Sequence, residues 1–342
     1  MSLKYYKHNQ ALVLESGRIL PDFTIAYHTF GKLNKEASNV VWVTHALTAN
    51  SDVFNWWKGL FGENSLFNPN EYFIVCANVL GSHYGSTGPL SINPDTGSPY
   101  YHNFPEITVR DMVAALNLLR EYLQLKKIHT LIGGSLGGQQ ALEWSITNPQ
   151  LIENLILIAT NAQHSPWGIA FNESQRLAIA ADRTWYNHSH NAGAKGLKAA
   201  RSIALLSYRN YNTYLETQKD DDEKINNFKA LTYQQYQGEK LVNRFNAFSY
   251  WYLSKAMDSH HVGRKRGGIE MALSLVKSNT LIIAVDSDIL FPVSESETLY
   301  HGINGSKLEI INSLYGHDGF LIETKTLTEK IEKQLKKYVV YE

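Results

Sequence analysis

The sequence predicts an α/β protein with a mainly parallel central sheet and helices on both faces. Three observations carry this. Short runs at residues 39–43, 72–77 and 155–159 are apolar almost throughout. They lack the alternation of a half-exposed strand, as expected when both faces of a sheet are covered. Such runs alternate with helical patterns, the rhythm of strand–helix–strand units. A glycine-rich turn, Gly133-Gly134-Ser135-Leu136-Gly137-Gly138, joins one of these strands to a helix.

The elements follow in order. Residues 12–14 and 23–30 read as a hairpin closed by 15–22, where Gly17 and Pro21 supply the turn. The strand at 39–43 runs into the loop 44–50, and the strand at 72–77 leads to 80–89, a loop dense in turn formers. Thr108 opens a helix with Asp111 three residues on, a capping box with Asp in place of Glu. Its apolar face is Met112, Val113, Leu116, Leu118, Leu119 and Leu123. The strand at 127–132 precedes the glycine-rich turn, and a helix at 139–148 stops at Pro149. From 165 to 278 the strand signal vanishes. Helices are expected at 171–182, 192–208, 234–252 and 269–276, with the acidic run 219–224 as a solvated connection. Strands return at 280–285 and 307–311, and an amphipathic helix closes the chain at 326–340. The expected division is a core domain from 1–164 and 279–342, with 165–278 as a helical lid inserted before the last strands.

Composition narrows the function. The chain of 342 residues carries 32 basic and 32 acidic side chains, so no net charge favours nucleic acid or an anionic membrane. The single cysteine, Cys76, lies in an apolar run and reads as a core residue. A disulfide framework is excluded and a reducing compartment fits. The first residues hold no apolar signal region and no run reaches the length of a membrane span, so a soluble cytoplasmic protein is expected.

Chemistry centres on Ser135. Gly133-Gly134-Ser135-Leu136-Gly137 fits the G-x-S-x-G nucleophile elbow, a sharp strand-to-helix turn that holds a serine hydroxyl out above the sheet. The stretch lacks the Lys-Ser/Thr ending of a phosphate loop and the G-x-G-x-x-G of a dinucleotide turn. The Leu136 N–H, at a helix N-terminus, is placed to stabilise an oxyanion. A second donor is expected from the loop 44–50. The serine needs a base, and the base an orienting acid. The acid should follow a late strand, where Asp286 and Asp288 both stand; Asp288 is preferred and Asp286 is the alternative. The base should follow the last strand, where His317 sits between Gly316 and Gly319. His188, His190, His260 and His261 show no metal-ligand spacing, so no metal is expected. Arg264-Lys265-Arg266 reads as a solvated loop, with too few charges for nucleic acid.

Taken together, these residues resemble the homoserine O-acetyltransferase family of the α/β-hydrolase fold, over nearly the whole chain. The resemblance rests on Thr44-His45-Ala46-Leu47-Thr48, the loops at 80–89 and 104–113, the elbow, Ala170-Phe171-Asn172-Glu173 with Gln175-Arg176, Tyr236-Gln237-Gly238-Glu239-Lys240, Ser287-Asp288 with Leu290-Phe291-Pro292, and Gly316-His317-Asp318-Gly319-Phe320-Leu321. It implies acyl transfer from acetyl-CoA, a co-substrate, to the side-chain hydroxyl of L-homoserine, a step toward methionine, with no permanently bound cofactor. It implies the triad Ser135, Asp288 and His317, and an oxyanion hole from the N–H groups of Leu47 and Leu136. It implies that Arg201, Tyr208 and Asp318 hold the amino acid, and that the protein is a homodimer. A succinyl donor, a serine acceptor, or plain esterase or thioesterase chemistry would use the same triad. Contact of Arg264-Lys265-Arg266 with the phosphates of the acyl-CoA is the alternative to a solvated loop. The chain departs from the family pattern at Ala49, often Gly, and at His83, often Cys.

Overall fold

The computed structural model describes residues 2–336. Eight strands form the central sheet: β1 (Lys4–His8), β2 (Phe23–Phe30), β3 (Val40–Thr44), β4 (Phe73–Ala77), β5 (Ile128–Gly134), β6 (Ile152–Ile158), β7 (Asn279–Val285) and β8 (Lys307–Ile311). Their spatial order is β1-β2-β4-β3-β5-β6-β7-β8. The six strands from β4 to β8 in that order pair in parallel, and β2 is antiparallel to both of its neighbours. The all-apolar strands have the predicted cause. Along β3, Val40 and Trp42 enter one core and Val41 and Val43 the other, on the opposite face. Trp42 meets Trp144 edge to face at 5.0 Å, locking the sheet to the helix after the elbow.

The capping box at Thr108 forms as expected and opens α1 (Val109–Tyr122). The elbow helix is α2 (Leu136–Thr147). Between β6 and β7 come six helices: α3 (Pro166–Ala180), α4 (Ala194–Tyr208), α5 (Tyr211–Gln218), α6 (Lys229–Val242), α7 (Ala247–Asp258) and α8 (Ile269–Ser274). After β7 follow α9 (Val293–Gly302) and α10 (Thr324–Lys336). Residues 337–340 of the expected closing helix lie outside the described residues. Among those described, no helix is long and apolar enough to cross a membrane.

Two expectations need correction. Leu12–Val13 pairs with Ile19–Leu20, not with the strand at 23–30. The partner of β2 is β1, whose Lys-Tyr-Tyr-Lys-His sequence shows no aliphatic signal because it is a partly exposed edge. The helix expected over 234–252 is two helices. Asn246 takes an extended backbone and its Oδ1 accepts from the Ser249 N–H at 2.8 Å, capping α7 and ending any continuation of α6. The helix α5, capped by Asn210, is an addition between the helices expected at 192–208 and 234–252.

Candidate active site

Parallel strands point the same way, so their C-terminal ends gather four loops on one edge of the sheet. The loop after β3 carries Leu47, the turn after β5 Ser135, the loop after β7 Asp288, and the loop after β8 His317.

Ser135 has φ 57° and ψ −128°, a backbone state costly for a residue with a side chain. The surroundings hold it there. Its N–H donates to the Ile158 carbonyl at 3.0 Å, and its own carbonyl accepts from Gln139 N–H at 3.1 Å and Thr160 Oγ1 at 2.9 Å. The flanking glycines are needed for contact. A Cβ on Gly137 would overlap the Thr44 carbonyl oxygen, and one on Gly133 the Gly137 carbonyl and Thr44 Oγ1. The Leu136 N–H begins α2 and has no carbonyl four residues back within the helix.

The loop with Leu47 is sewn to the elbow. Thr44 Oγ1 donates to the Gly137 carbonyl at 2.7 Å, and Gln140 Nε2 donates to the His45 and Leu136 carbonyls, both at 3.1 Å. His45 is buried. Its Nε2 accepts from Val79 N–H at 3.1 Å and its Nδ1 donates to the Ala46 carbonyl at 2.8 Å. Burial depresses its pKa to about 4, so the ring is neutral and acts as a brace.

Asp288 and His317 meet. Asp288 Oδ2 lies 2.6 Å from His317 Nδ1, while Oδ1 accepts from the N–H groups of Leu290 at 2.8 Å and Phe291 at 2.9 Å. Asp286 is exposed and faces elsewhere. It accepts from Ser313 N–H at 3.1 Å and Asn312 Nδ2 at 2.7 Å, tying the two loops together. The Phe291 ring stacks on the His317 ring at 5.1 Å, and Phe320 meets it at 5.3 Å. Burial pushes the His317 pKa down, but the Asp288 charge and hydrogen bond, with the Asp318 charge, outweigh it and raise it above 6.5.

A cavity of about 370 Å³ connects these groups. Leu47, Ser135, Arg201, Tyr208, His317 and Asp318 all line it, so the sequence-predicted residues that face it come from both the sheet edge and the helical block. Arg201 is half-buried, its guanidinium 5.3 Å from the Tyr208 ring centroid, and no carboxylate among the described residues pairs with it. Asp318 is not free: its Oδ2 lies 3.2 Å from Arg209 Nε. Arg209 gave no sequence signal, because its partner is more than a hundred residues away. Lys240 and Arg244 also line the cavity, and only Lys240 stood within a recognisable motif. Of the two departures, Ala49 lines this cavity, whereas His83 lines another and bonds Asn246 Nδ2 at 2.8 Å.

The basic trio needs correction. Arg264 grips Glu15 at 2.9 Å and Arg266 pairs with the buried Glu143 at 2.5 Å, so two of the three side chains form half-buried clasps. No group of three potential metal-ligating side chains occurs among the described residues. His260 Nε2 bonds the Asn161 carbonyl at 3.1 Å, and burial lowers its pKa to about 3.

Comparison with known proteins adds to this geometry. Residues 39–324 match the family model described as the alpha/beta hydrolase fold. A curated homoserine O-acetyltransferase from Cyclobacterium marinum is 52% identical over 327 residues, spanning 96% of this chain and 93% of the relative. The crystal structure of a homoserine O-acetyltransferase from Bacillus anthracis superposes with a TM-score of 0.90 at 24% identity, covering 98% of both chains. That of esterase E22 superposes with a TM-score of 0.89 at 23% identity, covering 98% and 99%. At such identities the two structures share the fold, and the fold alone does not separate transfer from hydrolysis.

Proposed function

The chain belongs to the homoserine O-acetyltransferase family of the α/β-hydrolase fold, and from that membership we propose that it moves an acetyl group from acetyl-CoA to the side-chain hydroxyl of L-homoserine. His317 Nδ1 is engaged by Asp288, which leaves Nε2 as the basic nitrogen. In the first half-reaction Nε2 takes the Ser135 proton as Oγ attacks the thioester carbonyl. The Leu47 and Leu136 N–H groups stabilise the oxyanion. The C–S bond breaks, and the CoA thiolate leaves with the proton from His317. In the second, His317 takes the proton of the homoserine hydroxyl, whose oxygen attacks the acyl-serine. Ser135 Oγ departs and recovers that proton. The sequence of steps uses no resident cofactor.

One observation carries the choice of transfer over hydrolysis. An unpaired, half-buried guanidinium shares the cavity with the nucleophile. An esterase needs no such charge, whereas an amino-acid acceptor brings a carboxylate that Arg201 grips bidentately. Tyr208 lies beside it, and Asp318 supplies acceptor oxygen for the ammonium. The helical block at 165–278 acts as the lid that keeps water from the acyl-enzyme. We place the reaction in methionine biosynthesis in the cytoplasm. We also propose a homodimer, supported by exposed apolar side chains on the block such as Tyr211, Leu215 and Leu231.

The experiment is release of free thiol from acetyl-CoA with and without L-homoserine, with succinyl-CoA and L-serine run alongside. Release that requires homoserine, with acetyl-CoA favoured, is expected. Release indifferent to every acceptor would make the protein a thioesterase.

A further inference from the structure

The cavity is short of negative charge. Among the described residues lining it are three permanent cations, Arg201, Lys240 and Arg244, and a single carboxylate, Asp318, which Arg209 already pairs. The three cations differ in depth. Arg201 is half-buried beside Tyr208, whereas Lys240 and Arg244 are exposed. Lys240 lies in the last turn of α6 and Arg244 just beyond the helix end. The neighbouring Glu239 is turned to Lys198, 3.0 Å away, and does not neutralise Lys240.

Arg244 is fixed but not neutralised. Its Nη1 donates to the Thr48 carbonyl at 2.5 Å and the Tyr84 hydroxyl at 2.8 Å, and its Nη2 to Thr48 Oγ1 at 3.3 Å. All three partners are uncharged. A guanidinium has five N–H donors, so the Nε–H and one Nη2–H remain for a further acceptor. The same bonds tie Arg244 to the loop that carries Leu47.

We infer that Lys240 and Arg244 form a docking site for the phosphates of the acyl donor, at the mouth of the cavity and separate from the Arg201 site for the acceptor's carboxylate. The inference rests on the proposed function, for which the donor is a nucleotide thioester. Size supports it. A cavity of about 370 Å³ is near the small end of ligand pockets, roughly 300–1,000 Å³. It takes the acyl group, the adjoining thioester arm and a small amino acid, which leaves the charged nucleotide end outside. Exposed cations at the rim are then in the right place. Lysine and arginine are both suited to phosphate, one as a point charge and the other as a fork. Through Thr48, donor docking also steadies the loop that holds an oxyanion donor.

The test compares acetyl-CoA with acetyl-pantetheine, which keeps the thioester arm and lacks the nucleotide and its phosphates. Wild type should favour acetyl-CoA by at least tenfold in kcat/KM, and added salt should erode the preference. Lys240→Glu should cut kcat/KM for acetyl-CoA about tenfold or more through KM, cut that for acetyl-pantetheine less than twofold, and leave the KM for homoserine in place. Lys240→Arg should restore the preference. Calorimetry with free CoA and with pantetheine reads docking without turnover. Equal use of the two donors by wild type, or equal losses on both in Lys240→Glu, overturns the inference. A protein that binds CoA through Lys240 but transfers nothing to homoserine would instead defeat the proposed function and leave the phosphate site standing.

Discussion

At the scale of single residues, the proposed reaction gives distinct work to Ser135, His317 and Arg209. Ser135→Ala removes the oxygen that would carry the acyl group, so thiol release should fall at least a thousandfold, toward the residual level left by binding and the oxyanion donors alone. Rapid labelling by a fluorophosphonate should vanish with it. As the proposed base, His317 must be neutral to accept a proton, and its pKa is raised, so kcat/KM should climb with pH through a value above 6.5. Asp288→Asn removes the leading source of that rise. The acid limb should then move to lower pH while the plateau drops sharply, and a limb that stays in place would separate Asp288 from the base. The sign for stability follows from the same shift. The folded state binds the His317 proton more tightly than the unfolded chain, so this contribution is fully present below about 6.5 and fades as pH rises through the folded value. Arg209 pairs with Asp318 at 3.2 Å, and in the proposed reaction it acts as a positioning residue. Replacing it with Met leaves Asp318 uncompensated beside His317, which should move the acid limb upward and raise the KM for homoserine several-fold, with the KM for acetyl-CoA little changed. These assignments were unequally visible in the chain. Ser135, His317 and the two aspartates stand at strand ends, and a residue order suffices to find them. Burial and the 2.6 Å contact separate Asp288 from Asp286, and neither is written in local sequence.

At the scale of elements, the elbow and the loop after β3 behave as one unit. Thr44 is both the last residue of β3 and the side chain whose hydroxyl reaches the Gly137 carbonyl. Thr44→Val keeps the shape and removes the bond, leaving the Gly137 carbonyl with its intrahelical partner alone, at a cost of about 0.5–1.5 kcal/mol. Because Leu47 rides on this loop, kcat should fall more than KM rises, and unchanged kcat with lost stability would show that the loop holds its place by packing alone. Gly137→Ala forces a Cβ into the Thr44 carbonyl and should either prevent folding or part the two loops. The parallel strands were legible because burial on both faces leaves a continuous apolar run, as in β3 and β4. β1 was not, because an edge strand with Lys4 and Lys7 carries no such signature. The break at residues 243–246 was hidden for another reason: apolar periodicity resumes across it, and only the side-chain cap of Asn246 marks the new helix.

At the scale of the whole molecule, the proposed preference for transfer over hydrolysis turns on how the helical block is seated on the sheet. A buried polar chain joins the two. Gln139 on the elbow helix bonds Asn161 at 3.0 Å and approaches His164 at 3.5 Å. His164 meets Asn172 on α3 at 3.2 Å, and Asn172 bonds Asp258 at the end of α7 at 2.8 Å. Asp258 in turn pairs with Arg176 on α3 at 2.5 Å. Arg176 is almost wholly buried, at 5% side-chain exposure, so its charge depends on this partner and on the more exposed Glu173. Asp258→Ala removes one of the two and strands much of a buried cation, a loss of about 3–5 kcal/mol for a fully buried pair and less here because Glu173 remains. The urea midpoint should fall accordingly. The double variant Arg176→Met with Asp258→Leu leaves no charge behind and should recover most of the loss. If the block excludes water from the acyl-enzyme, the single variant should also shift the products. Acetate should form at the expense of O-acetylhomoserine while acylation of Ser135, read as the burst of thiol, keeps its rate. The double variant should return the ratio toward wild type. A ratio that never moves while stability falls would mean that water is kept out by the cavity walls near Ser135, with no contribution from the seating of the block.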